Sequence, residues 1–420
     1  MFELIRANQR KSIWLMAILA SVLLALGYAI GFLVAPDEPG IQSFFVIIAV
    51  GVWLVMLLTS LAGGERILLA SAQAREVQKK DAPQLYNIVE EMCIASGLST
   101  VPKVYIIDSP SPNAFAVGLK PQRAAVAVTT GLMGKLNRDE LQAVMAHEIA
   151  HIQNRDTLFM TLAGVTVGAI IIIGDIFLRS MIYGGGRRRG GGGNQGAALM
   201  VIAVVMAILA PILANILYFA CSRRREYLAD ACAAQYTRYP EGLASALEKI
   251  SGQVTRQTAQ AASRTLAPMY IVNPMAARGR RAGLFSTHPA TEDRVRVLRS
   301  MSGQASLAAY EKAYQALHGK QSVLPPSVRA ASVDQAVREQ HRESDDGTGR
   351  SQWRQAQDLL HQVDRYAVIA CVCGMKLKLP PGYEESKVGC PKCGHVHVLP
   401  PEMMAGLAAA QMAQRKGKKR

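Results

Sequence analysis

Apolar positions in this chain of 420 residues gather into four long blocks, 13–35, 41–63, 158–178 and 197–221. The first two contain no charged residue, and 23 helical residues rise about 35 Å, enough to cross ~30 Å of hydrocarbon. The pattern predicts a membrane hairpin over 1–64, with spans at 13–35 and 41–63 and the short acidic loop PDEPG between them. The first run is too long for the apolar core of a signal peptide, and no small-x-small cleavage site follows, so a retained anchor is the favoured reading. The third block holds a single Asp175 and the fourth no charge. Whether this second pair crosses fully or enters and returns, it brings the chain back to the side it left.

Between the two pairs the period changes. Leu85, Ile88, Val89 and Met92 recur at helical spacing in a helix over 82–96 that ends near Gly97. Three strands are expected at 101–108, 113–119 and 124–132, the last two joined by a KPQR turn. The segment 137–156 reads as an amphipathic helix with Leu141, Val144, Met145, Ile149 and Ile152 on its apolar face, and Asn137 with Glu140 forms a capping box at its start. Residues 240–320 are again helical. A polar stretch over 321–365 reads as a linker, 366–400 as a small separate module and 401–420 as a basic tail. The expected fold is α+β and mainly helical: multi-pass membrane helices, a domain over 65–320 with a small β-sheet interrupted by the second apolar pair, and a C-terminal ribbon.

Charge sets the orientation. The net charge of +16 comes from 47 Lys and Arg against 31 Asp and Glu. Arg6, Arg10 and Lys11 precede the first span, while Arg66, Arg75, Lys79 and Lys80 follow the second, so both flanks are predicted to be cytoplasmic. Arg223, Arg224 and Arg225 mark a third flank on that side. Arg187, Arg188 and Arg189, in the glycine-rich loop between the second pair, conflict with placing that loop across the membrane.

Candidate chemistry sits on the 137–156 helix. His147 and His151 are four residues apart, so both imidazoles leave one face, spaced to share a zinc ion at about 2.0–2.1 Å each. Glu148 is placed to take a proton from zinc-bound water. Alone, the HEIAH pattern fits equally well two histidines on a solvated face. Glu226 and Asp230 lie four apart just past the fourth apolar block. Glu226 is the candidate third ligand, and Asp230 could orient a ligand histidine; an ordinary amphipathic helix with solvated carboxylates is the plainer account. Four of the seven cysteines, Cys371, Cys373, Cys390 and Cys393, form two pairs each followed by Gly. That spacing suits a closed, structural zinc site rather than a disulfide framework, and the segment is too short for a sizeable core without metal.

The stretches SPNAFAVG (111–118), HEIAHIQNRD (147–156), SRRREYLAD (222–230) and STHPATEDR (286–294), in this order and with an apolar pair between the second and third, resemble the HtpX-type membrane zinc metalloproteases, relatives of the CAAX prenyl proteases. The resemblance covers about residues 1–320. It implies an endopeptidase of misfolded or unassembled membrane proteins, with catalytic zinc on His147, His151 and Glu226, and Glu148 as general base. It also implies that His288 steadies the tetrahedral intermediate and that the strand starting Asn113, Ala114, Phe115 pairs with an extended or unfolded polypeptide. A multi-pass protein of the cell (inner) membrane, with its active site facing the cytoplasm, is the expected setting. Prenyl-cysteine cleavage is disfavoured, because that branch has more spans. The C-terminal module lies outside the family pattern. A second function class therefore stands beside the first: a membrane-anchored scaffold whose ribbon and basic tail recruit a protein or nucleic-acid partner. Nucleic acid is an unlikely partner, since no aromatic stripe accompanies the ribbon.

Overall fold

The computed structural model describes residues 2–35, 38–184, 194–252, 271, 288–301, 303–330, 332–333, 335–340, 356, 358–359 and 366–417. The Arg187–Arg189 loop, residues 286–287 of STHPATEDR and residues 341–355 of the expected linker lie outside these.

Two helices, α1 (Phe2–Val34) and α2 (Pro39–Ser71), form an antiparallel hairpin. They approach closely at Gly31, where a Cβ would stand 2.6 Å from the Gln42 Cα; small residues permit such backbone contact in apolar surroundings. Helix α6 (Asp156–Gly184) and the first half of α7 (Asn194–Thr237) complete an apolar bundle. Leu19, Leu23 and Leu26 pack there with Ala163, Ile170, Ala207 and Ala214, and Trp53 Nε1 donates to Thr166 Oγ1 at 3.0 Å. Three helical stretches among the described residues are long and apolar enough to cross a membrane: Ser12–Phe32, Pro39–Ser71 and Asp156–Arg179. The fourth apolar block is the first half of α7, which continues unbroken through Glu226 and Asp230.

The second body is built on a mixed sheet of order β1-β2-β4-β3, from β1 (Arg75–Val77), β2 (Lys103–Ile107), β3 (Ala114–Val117) and β4 (Ala125–Thr129). β2 and β4 run parallel, with Val104 opposite Val126; β3 runs antiparallel to β4, with Ala116 opposite Val126. β3 and β4 are covered on both faces and buried along their whole length rather than alternating. Val104, Ile106, Ala114, Ala116, Val126 and Val128 face the main core. Phe115, Val117, Ala125 and Ala127 face Leu69 and Ala72 at the end of α2. β4 stops at Thr129, short of the expected 132, because the Thr129 side chain caps α4 (Thr130–Met133) by accepting from the Leu132 N–H. β1 was not expected; three residues carry too little pattern to be read. α3 (Pro83–Ser96) ends at Gly97, φ +73°, as the sequence indicates.

Helix α5 (Arg138–Gln153) lies at the centre, packed by α3, β3, α7 and α8 (Pro240–Ser251). Its capping box forms as expected, Asn137 Oδ1 accepting from Glu140 N and Glu140 Oε2 from Asn137 N. It is not the amphipathic surface helix its pattern suggests: Asp139, Glu140, Gln142, His147 and Glu148 are as buried as its apolar face. The polar positions face other elements. Glu140, for example, takes Lys249 Nζ at 2.7 Å and Ser245 Oγ at 2.5 Å.

α9 (Thr291–Arg299), α10 (Leu307–His318) and α11 (Pro326–Ala330) close the domain. The stretch expected to begin a linker at 321 instead folds back onto it. Val323, Leu324 and Val328 enter the core. Arg338 reaches α5, donating to Asp139 Oδ1 at 2.6 Å and Gln142 Oε1 at 2.7 Å. The C-terminal part comprises two hairpins, β5 (Ala367–Ala370) with β6 (Lys376–Leu379) and β7 (Lys387–Gly389) with β8 (Val396–Val398), followed by α12 (Pro401–Gly417). Leu379, Leu399 and Leu407 form its own small core.

Candidate metal centre

The i, i+4 spacing on α5 sets the geometry first. His147 Nε2 and His151 Nε2 stand 3.2 Å apart. From α7, Glu226 brings Oε1 to 3.4 Å from His151 Nε2 and Oε2 to 3.6 Å from His147 Nε2. Two nitrogens bound tetrahedrally at about 2.0–2.1 Å to one ion would stand about 3.3 Å apart. The three side chains are therefore already at ligand spacing, and Glu226 Oε2 is buried with no well-directed hydrogen bond. Residues and geometry fit zinc.

The other ring nitrogens fix the tautomers. His147 Nδ1 lies 3.0 Å from Asp230 Oδ1 without the direction of a good hydrogen bond, and His151 Nδ1 is hydrogen-bonded to Asp156 Oδ2 at 3.0 Å. A carboxylate beside each Nδ1 favours the proton there and leaves the Nε2 lone pair pointing inward, as a metal ligand requires. Asp230 is held in turn by Arg294, whose Nε and Nη2 donate to its two oxygens at 2.8 and 2.7 Å. Arg294 Nη1 also donates to the Ile271 carbonyl at 3.0 Å and lies 3.5 Å from Glu226 Oε2. His288 arrives ahead of α9, with Nδ1 2.9 Å from Glu226 Oε2.

Electrostatics follow from this crowding. Burial pushes the His151 imidazole down, but Asp156 and Glu226 overcome it, and its pKa lies well above the ordinary histidine value. His147 is likewise depressed by burial and raised more by Asp230 and Glu226. Glu226 is raised by burial, yet His288, His147 and His151 hold it well below the usual carboxylate range. These shifts are reciprocal, each charge favoured by the other; with the imidazoles neutral as metal ligands, the Glu226 carboxylate is left for a divalent cation to balance. Glu148 differs: burial lifts its pKa, and the two imidazoles and the Ala116 N–H only partly offset the rise.

A cavity of about 1020 Å³ opens onto these groups. Its walls include His147, Glu148, His151, Glu226 and His288, and also Ser60–Gly64 of α2, Met160 and Gly164 of α6, and Tyr218 of α7. On the sheet side it is lined by Ala116, Val117 and Gly118. Among the described residues β3 is the last strand of its sheet, paired with β4. Asn113, Ala114 and Phe115 are not among the lining residues. Asn113 Oδ1 accepts from the Ile271 N–H at 3.3 Å, and the Phe115 ring is buried on the far side of the sheet.

The sequence pattern assigned no role to Asp156, Arg225 or Arg294. Asp156 was within reach, five residues past His151. Arg225, read as a flank charge, is buried and paired with Asp156.

A second sulfur cluster stands apart. Cys371 Sγ lies 3.5 Å from Cys393 Sγ, and Cys373 Sγ 3.6 Å from Cys390 Sγ. Four thiolates at about 2.3 Å around zinc would be spaced about 3.8 Å. Gly374 at φ +81° and Gly394 at φ +73° turn the two knuckles, and their N–H groups donate to the Cys371 and Cys390 carbonyls.

Residues 79–302 match peptidase family M48. A protease HtpX homologue of Dictyoglomus thermophilum is 45% identical over 302 residues, 71% of this chain and 94% of the homologue. One from Caldanaerobacter subterraneus is 41% identical over 304 residues, 72% of this chain and 98% of its own. One from Listeria monocytogenes is 40% identical over 310, 72% of this chain and all of its own. The crystal structure of S. mikatae Ste24p aligns with 71% of this chain and 67% of that one at 20% identity and a TM-score of 0.38, too low a likeness to bear on the fold.

Proposed function

This chain belongs to peptidase family M48 as an HtpX-type membrane zinc endopeptidase, and from that premise we propose that His147, His151 and Glu226 hold the zinc and Glu148 is the general base. One observation carries the reading: the two Nε2 atoms and the Glu226 carboxylate converge at ligand spacing in a cavity that also exposes Glu148. Zinc bound there supplies a Lewis acid that polarises the scissile carbonyl and acidifies a water. Glu148 receives the proton of that water at its carboxylate and delivers it to the leaving amine. Its upward-shifted pKa suits both halves of the transfer. His288, which lines the cavity with Nδ1 2.9 Å from Glu226 Oε2, is the residue we assign to steadying the oxyanion. A peptide would lie extended along the β3 edge beside Ala116–Gly118, adding a strand.

Substrates are extended segments of misfolded or unassembled membrane proteins. What supports this is that the cavity walls continue from the ligand atoms into α2, α6 and α7. The positive flanks at Arg66, Arg75, Lys79 and Lys80 support a catalytic side facing the cytoplasm, in the inner membrane. The apolar half of α7 would then be the fourth span. The division at 1–64, 65–320, 321–365, 366–400 and 401–420 is kept, except that 321–340 joins the protease body. A structural zinc on Cys371, Cys373, Cys390 and Cys393 is the second metal, and the module it folds is a docking point for a protein partner.

Glu148→Gln should retain zinc while kcat falls about 10²–10⁴-fold. His151→Ala should remove one of two bound zinc ions. Metal analysis beside a peptidase assay reads both; peptide hydrolysis at the full rate by Glu148→Gln would refute the assignment.

A further inference from the structure

We infer that Arg225 is a positioning residue: it fixes the His151 imidazole through Asp156, and Ser12 of the first membrane helix holds it in place, so zinc affinity depends on the seating of α1. The inference rests on the ligand assignment proposed above and extends it to residues outside the ligand set.

Four side chains form an unbroken line. His151 Nδ1 donates to Asp156 Oδ2 at 3.0 Å. Arg225 Nη1 donates to the other oxygen of Asp156, and Arg225 Nη2 donates to Ser12 Oγ. All three partners beyond the imidazole are buried: Asp156 is 2% exposed, Arg225 3% and Ser12 2%. The guanidinium also lies over the Phe159 ring, 5.2 Å from its centroid. The chain thus joins α5, the start of α6, the water-side half of α7 and the start of the apolar run of α1.

The physical reason is that an imidazole ligand can rotate about its ring axis, and only its second nitrogen can stop it. Asp156 supplies that stop. A buried carboxylate with one partner removed is uncompensated and moves toward any other donor or solvent. The arginine fork sets its angle as well as its charge, which a lysine cannot reproduce. Arg225 precedes Glu226 in sequence, so one turn of α7 sends a ligand to the metal and a clamp to the opposite histidine. Ser12 ends the line on a helix with no other role in the site.

The test uses the full-length protein in detergent or nanodiscs. Zinc affinity is measured by chelator competition, and the Co²⁺-substituted site by its visible absorption. The His–His–Glu site is told from the cysteine cluster by its lack of thiolate-to-cobalt charge transfer. Arg225→Gln should weaken zinc at this site about 10–100-fold and alter the cobalt bands, with kcat reduced and KM little changed. Arg225→Lys should recover part of the affinity. Ser12→Ala should shift affinity in the same direction by about 3–10-fold, whereas Ser21→Ala on the same helix should leave it at the wild-type value. If Arg225→Gln does not fold, Ser12→Ala and Asp156→Asn carry the test alone. Lower thermal stability with unchanged zinc affinity and cobalt bands would overturn the inference and leave a plain helix-joining ion pair. Failure of the ligand assignment looks different: His151→Ala would then leave the zinc content of this site intact.

Discussion

At the scale of single residues, the helical pair His147 and His151 was readable because spacing alone places two side chains on one face. Glu226 was readable only as a motif; nothing in its neighbourhood says that α7 passes α5. Arg294 escaped because an arginine in a short helix looks like a surface charge until Asp230 is found behind it. The same holds for Arg338, which falls in a stretch of linker-like composition yet grips Asp139 and Gln142 of the central helix. Arg338→Ala should lower stability by roughly 2–4 kcal/mol, because it leaves Asp139, 3% exposed, without its cation; denaturant unfolding of the detergent-solubilised protein reads the change. Cysteines divide by environment. Burial, aided by Glu90, pushes the Cys93 thiol up to about 12, and burial raises Cys232 to about 11. At pH 8 roughly one Cys93 in 10⁴ is a thiolate. Native-state alkylation should therefore spare Cys93 and Cys232, and mass spectrometry of labelled peptides checks this.

At the scale of elements, α3, α5 and the existence of β2, β3 and β4 were all legible, since each carries a clear period and a turn signal. The burial of every face of α5 was not, because amphipathicity assumes a solvated side that tertiary packing removed. Thr129 shows how a cap overrides a strand pattern: TTGL is apolar enough to extend β4, but its hydroxyl starts a helix. Gly118 ends the edge strand at φ +113°, where a Cβ would lie 2.7 Å from the Ala124 Cα. Its carbonyl accepts from Thr157 Oγ1 at 2.6 Å, tying β3 to α6 beside the cavity. Gly118→Ala should cost about 1–3 kcal/mol and reduce kcat/KM, with unfolding and peptidase assays run in parallel. In the C-terminal part, Cys371, Leu377 and Cys390 cluster at the sulfurs, beside the equally small core of Leu379, Leu399 and Leu407. A cluster so small predicts collapse on chelation: hydrogen exchange across 367–398 should become fast with excess chelator, while α5 stays protected.

For the molecule as a whole, the sequence pattern gave two bodies and a tail, and what it could not give is how they are joined. Long-range partners such as Ser12 with Arg225, or Arg338 with Asp139, leave no local trace. Removing residues 366–420 should leave peptidase activity within about 2-fold, since no residue of the cavity comes from that part; a casein-type assay on the truncated chain decides it. Helix α7 has a different reach. It runs from Asn194 to Thr237 with Pro211 inside its apolar half, that half lying among the apolar helices and the segment beyond carrying Glu226 and Asp230. Pro211 leaves one backbone hydrogen bond unmade in the apolar half, so the helix has a point at which it can bend. Acyl chains too short or too long for the bundle would tilt the apolar half about that point and shift the Glu226 carboxylate relative to the two imidazoles. Bilayer thickness becomes a dial on turnover, one that detergent micelles, lacking a fixed thickness, would leave unset.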